Sequence, residues 1–93
     1  MSPAKMKNLR IIQAMHALDR SGHTISLRNL KTLTGFSWPV IILGIRIAAQ
    51  AKWILPKHNA GQYTMTHTGK DMATNLLEVH KDHLQPLRPF TAL

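Results

Sequence analysis

Six histidines and four carboxylates are the side chains from which catalysis or metal binding would have to be built in this 93-residue chain. His80 and His83 stand three apart, which puts both on one side of a helix and within reach of a shared metal, while Asp82 points elsewhere. Two ligands without a third do not make a metal site. His16, His23, His58 and His67 show no clustering spacing, so solvent-exposed or structural histidines are expected, with no metal and no cofactor. There are no paired carboxylates, no nucleophile motif and no Gly-rich phosphate loop, and four acids leave little for general acid/base work. No catalytic residue is expected, and the chain does not read as an enzyme. Having no cysteine, it also lacks the means for disulfides, thiol catalysis and cysteine-based zinc sites.

The cations offer a different chemistry. Twelve Lys and Arg against four Asp and Glu give a net charge of +8, which favours an anionic partner such as nucleic acid over a neutral one. A basic protein with no such partner is the plain alternative. The charge is unevenly spread: residues 1–70 hold ten Lys and Arg and one acid, Asp19, whereas residues 71–93 hold Lys81 and Arg88 against Asp71, Glu78 and Asp82. Arg28, Lys31, Lys52, Lys57 and His58 are candidate phosphate contacts, which would add affinity and salt dependence without sequence information. Arg46 and Gln50 are of another kind. Four apart in an otherwise apolar stretch, they carry the donors and acceptors that distinguish base edges, Arg for guanine and Gln for adenine. Ser37 and Trp38, where that stretch begins, complete the candidate set.

These residues need elements to hold them. From Pro3 to Arg20, Met6, Leu9, Ile12, Met15 and Leu18 recur every three residues, flanked by Ile11 and Ala14, which predicts an amphipathic helix ended by Ser21-Gly22. "HTI" allows one short extended segment. Ser26 then caps a second helix, "LRNLKTLTG", with Leu27, Leu30 and Leu33 as its buried face and Gly35 as its left-handed stop. Ser37 caps a third helix, Pro39 sits in its first turn, and the helix is expected to run to about Lys52. "WILPKHNAGQYTM" reads as a hairpin turning at "HNAG", with Pro56 marking an edge strand. Thr66 caps a last helix, "HTGKDMATNLLEVHKDHL", with Met72, Leu76, Leu77, Val79 and Leu84 available to pack, stopped by Pro86 and Pro89.

With that order in place, "SLRNLKTLTGFSWPVIILGIRIAAQAKWI" resembles the winged helix-turn-helix regulators of the MarR and IclR type. Thr34, Gly35, Phe36 and Ser37 stand where that pattern has its turn. Ile41, Ile45 and Ala48 take the three buried positions of the reading helix, and Ile54 begins the wing. "YTMTHTGKDMA" is similar to the exit from the wing, with Tyr63, Met65, Thr66 and Gly69 matching in order and spacing. Together the two motifs span residues 26–73. One departure stands out: the glycine usual between reading helix and wing is Lys52 here, so the helix end is expected to be less sharp, or one turn longer. The resemblance implies a mainly α fold with a small β-hairpin, in the order helix, short strand, helix, helix, hairpin, helix. Residues 1–85 would form a single winged-helix domain and 86–93 a C-terminal tail, and the implied function is double-stranded DNA binding in transcriptional regulation.

The third helix leaves three readings open. Ile41, Ile45, Ala48 and Lys52 are expected to face the core, with the Lys52 ammonium reaching out to water. Pro39, Leu43, Arg46 and Gln50 face away, flanked by Ile42 and Ile47. Arg46 and Gln50 support base reading. Trp38, Ile42, Leu43 and Ile47 support instead an apolar protein interface, since exposed patches of this kind commonly mark partners. Burial of the whole helix by its neighbours is the third reading. A second apolar stripe in the last helix, Leu77, Leu84 and Leu87, predicts a homodimer through that helix, together with the first helix and the tail. The N-terminus "MSPAKMKNLR" lacks the apolar core of a signal peptide, and the longest apolar run, Trp38 to Ile45, falls far short of the ~20 residues that cross a bilayer. A cytoplasmic protein without membrane insertion is expected.

Overall fold

In the computed structural model, which describes residues 2–93, the chain forms four α-helices and a three-stranded antiparallel sheet in the expected order. Helix α1 spans Pro3–Arg20, with the Ser2 hydroxyl accepting from the Lys5 N–H at 3.2 Å and proline in the first turn. Its buried residues are Leu9, Ile11, Ala14, Met15 and Leu18. Ile11 and Ala14, expected only to flank the stripe, lie at its centre, and Met6 and Ile12 are half-buried. A strict three-residue spacing drifts by about 60° per step around a helix of 3.6 residues per turn, so the row from Met6 to Leu18 does not stay on one face.

Strand β1, Ile25–Ser26, leads into α2, Leu27–Thr34, whose first turn is capped by the Ser26 hydroxyl on the Asn29 N–H at 3.0 Å. Leu30 and Leu33 are fully buried while Leu27 is only partly so. Gly35 ends α2 in the left-handed conformation at φ 74°, donating to the Lys31 carbonyl at 2.7 Å. Buried Thr34 ties down the turn, donating to the Leu30 carbonyl at 2.7 Å and accepting from the Phe36 N–H at 3.2 Å. The chain then swings through 118° into α3, Trp38–Gln50.

Helix α3 is shorter than expected and ends sharply. Ala51 is its C-cap, and Lys52 itself takes the left-handed conformation, φ 62°. The N–H of Lys52 donates to the Ala49 carbonyl at 3.1 Å and that of Trp53 to the Ala48 carbonyl at 2.9 Å, the paired bonds of a Schellman ending. The lysine thus does the work a glycine usually does, which is why neither a blurred end nor an extra turn is found. Strands β2, Ile54–Pro56, and β3, Gln62–Met65, form the hairpin, and β1 adds to its other side in the order β1-β3-β2. Pro56 lies on an edge strand, opposite Tyr63.

Helix α4, His67–Val79, begins with the Thr66 hydroxyl accepting from the Gly69 N–H at 2.9 Å and donating to the Lys52 carbonyl at 2.6 Å. Gly69 lies so close to the Trp53 carbonyl that a Cβ there would overlap it. This approach through small residues buries Gly69 and Ala73 and leaves Met72 and Val79 exposed, contrary to expectation. The helix also stops at Val79 rather than running to Leu84, followed by a 3-10 turn at Lys81–His83. Pro86 disfavours helical backbone at Gln85. The Arg10 guanidinium and the Gln13 carboxamide bond the Gln85 carbonyl, turning the chain back across α1. The segment read as a tail therefore lies on the core: Leu87 and Phe90 pack against it, the Arg88 N–H donates to the Leu33 carbonyl at 3.0 Å, and the Phe90 ring meets His23 edge-on. Among the described residues, no single helix is long and apolar enough to cross a membrane.

Candidate functional site

The apolar side of α3, Ile41, Gly44, Ile45 and Ala48, is buried in the core. Everything proposed for its other side is exposed. Trp38 retains 45 % of its accessible surface, Ile42 46 %, Leu43 53 % and Ile47 36 %, which rules out burial of the whole helix. Arg46 and Gln50 are exposed as well. At about 100° per residue, these two fall along the midline of the exposed half, with Trp38 and Ile42 on one flank and Leu43 and Ile47 on the other. Lys52 does not follow the core-facing row: its left-handed backbone takes it off the helix path, and it is exposed.

The start of α3 differs from expectation in one bond. Ser37 occupies the N-cap position, but its hydroxyl makes no capping hydrogen bond. An N-cap oxygen accepts from the second or third N–H of the helix; Pro39 removes the second, and the third, on Val40, is not used. The hydroxyl is left on the surface beside Trp38. Lys31 is more engaged than a free phosphate contact would be, since its ammonium donates to the Phe36 carbonyl at 3.2 Å and lies 5.2 Å from the centre of the Trp38 ring. It locks the turn and steadies Trp38. Arg28 is exposed on α2. Lys57 and His58 are exposed at the hairpin tip, where the Lys57 N–H closes the turn on the Gln62 carbonyl at 2.9 Å.

Charge is segregated on the folded chain. Residues 20–70, which contain α2, α3 and the hairpin, hold no acid at all. All four carboxylates lie at the end of α1, on α4 or just after it. The ion pairs among the described residues are His67 with Asp71 at 3.5 Å, Lys70 with Asp19 at 3.9 Å and Lys81 with Glu78 at 3.0 Å. None involves Arg28, Lys31, Arg46, Lys52 or Lys57, so their positive charge is uncompensated.

Two features escaped the sequence reading. Arg88 belongs by sequence to the acidic last quarter, but the returning chain carries it to the α2–α3 turn, where it shares a hollow of about 320 Å³ with Arg28, Lys31 and Trp38. The only hint was the pair of apolar residues, Leu87 and Phe90, on either side of it. The second is a groove of about 800 Å³ between α1 and α4, lined by Met6, Leu9, Ile12 and Leu76 together with Lys5, Asn8, His80 and His83. His80 and His83 lie beyond α4, at its C-cap and at the end of the 3-10 turn, both on the lining of this groove, and no group of three metal-ligating side chains occurs among the described residues. His16 is partly buried on α1. Burial, and after it the charge of Arg20, lower its pKa, with Asp19 opposing.

Compared with protein-family models, with curated proteins and with solved structures, the chain matches none of them.

Proposed function

We propose that this chain is a winged helix-turn-helix protein that binds double-stranded DNA, with α3 in the major groove and the hairpin as a wing, and that it acts as a transcriptional regulator in the cytoplasm. The observation that carries this reading is the acid-free surface of residues 20–70, with Arg46 and Gln50 along the exposed midline of α3. The 118° swing between α2 and α3 is within the range of helix-turn-helix motifs. Arg28, Lys57 and His58 then serve as phosphate contacts, and Arg46 and Gln50 as readers worth about 1–3 kcal/mol of discrimination each. A gel shift with mixed-sequence duplex tests it: the protein should bind at low salt, and Arg46→Ala with Gln50→Ala should flatten any sequence preference while leaving salt-dependent binding. Absence of duplex binding at any salt would overturn the reading.

A second reading rests on a specific observation, the exposure of Trp38, Ile42, Leu43 and Ile47 together on one helix. It takes α3 as a protein-binding surface, the basic residues steering it toward an acidic partner. Leu43→Glu that abolishes partner binding in a protein without DNA affinity would favour this alternative. Under either reading we propose a homodimer through α4 and the groove it forms with α1. Leu87, given to the dimer by the sequence reading, is occupied with its own core; the exposed Met72 and Val79 remain for a second copy.

A further inference from the structure

The hollow at the α2–α3 turn brings three cations together from two distant parts of the chain. Arg28 and Lys31 come from α2, one turn apart, and Arg88 from the returning C-terminal segment, with Trp38 as one wall and no carboxylate in the lining. The site is held in shape from both sides. The Arg88 backbone is pinned by its N–H on the Leu33 carbonyl at 3.0 Å, and Leu87 and Phe90 are packed against the core on either side. The Arg88 guanidinium fills the space a side chain at position 35 would need, so Gly35 provides room for it as well as the left-handed turn. Lys31 is fixed by the Phe36 carbonyl and the Trp38 ring. None of the three forms an ion pair among the described residues. Like charges lining one hollow repel, and an anion among them relieves the repulsion.

We infer that Arg28, Lys31 and Arg88 form a phosphate-binding site, completed by the C-terminal segment. Two guanidiniums and an ammonium suit a tetrahedral oxyanion, because guanidinium forks donate to two of its oxygens and the ammonium to a third. Its fixed backbone lowers the ordering cost of binding. The phosphate is either a diester of a bound duplex, which rests on the DNA reading above, or a free phosphate group, which does not.

The full-length protein allows both sources to be tested. In NMR titrations, inorganic phosphate at constant ionic strength should move the Gly35 amide, Arg88 side-chain and Trp38 indole resonances saturably, where chloride does not. In duplex titrations, Arg88→Gln should lower the slope of log affinity against log salt by about one. Arg88→Lys should restore part of either effect, and a thermal melt equal to wild type shows that the fold is kept. A response to phosphate alone, in a protein that binds no duplex, establishes a free-phosphate site and refutes only the DNA reading. A changed salt slope without a response to phosphate establishes the diester. If phosphate moves none of these resonances and Arg88→Gln leaves duplex affinity and slope at wild-type values, or there is no duplex binding, the inference is overturned.

Discussion

Replacing Lys52 by glycine separates two effects that the lysine combines. Lys52 is the one non-glycine residue with positive φ among the described residues, at 62°. A residue with a side chain pays roughly 1–2 kcal/mol for that conformation. Glycine escapes this penalty but loses about 0.5–1 kcal/mol more backbone entropy on folding. The Schellman bonds at 3.1 and 2.9 Å involve backbone only and survive the change. Lys52→Gly should therefore stabilise the protein by about 0.5–1 kcal/mol, which for a domain of this size raises Tm by roughly 2–8 °C. If the Lys52 ammonium meets a phosphate, the same substitution weakens duplex binding and lowers the salt slope by about one, so that the wild-type advantage shrinks by about three- to fourfold between 50 and 200 mM salt. Melting followed by circular dichroism reads the first effect, and anisotropy of a labelled duplex over a salt series reads the second. Lys52→Ala is the control: it keeps the backbone penalty while removing the charge, so it should lose affinity without gaining stability. A lower Tm for Lys52→Gly would refute the conformational argument, and an unchanged salt slope would refute the phosphate contact.

Gly69→Ala drives a methyl group into the Trp53 carbonyl and should cost about 1–3 kcal/mol in chemical denaturation, because a backbone atom gives way less readily than a side chain. His16, with its pKa lowered by burial first and by Arg20 second, binds a proton more readily unfolded than folded. Its contribution is thus present in full above the unfolded pKa of about 6.5 and is lost as pH falls through the folded value, so Tm should decline below about pH 6.5, with His16→Gln flattening that decline. Light scattering at high micromolar concentration should report a dimer that Val79→Glu dissociates; a monomeric wild type removes the α4 interface.

What could be read in advance followed local rules. Ser26, Gly35 and Thr66 mark helix ends through bonds within three or four residues, and the pattern around "HNAG" marks the hairpin, so these elements are where the sequence placed them. The misplacements have non-local causes. The path of the chain after α4 depends on Arg10 and Gln13, more than seventy residues away, capturing the Gln85 carbonyl, and no period in the last helix carries that information. Its buried face depends on how closely Gly69 approaches Trp53, so large residues such as Met72, which look like core by type, stay outside. Of the candidate site, the outward positions of Arg46 and Gln50 followed from helical spacing and the buried Ile41 and Ile45. Arg88 was invisible because its place is set by the return of the C-terminal segment.

The departures from local rules in this chain are concentrated on one element. Helices α1, α2 and α4 begin with a side-chain cap, from Ser2, Ser26 and Thr66, whereas α3 begins at Ser37 without one. Positive φ elsewhere among the described residues is taken by glycine, whereas α3 closes on Lys52. Four of the eight exposed large hydrophobics, Trp38, Ile42, Leu43 and Ile47, lie on this helix of thirteen residues. Each feature costs stability or solubility, and among the other helices only α4 shares one of them, through the exposed Met72 and Val79. Proteins tolerate such inconsistencies chiefly where function requires them. Ser37, Lys52 and the apolar flanks around Arg46 and Gln50 are all exposed, on a stretch of chain that carries no acid. These departures support the proposal that α3 is the element that meets a partner, whether that partner is a duplex or a protein.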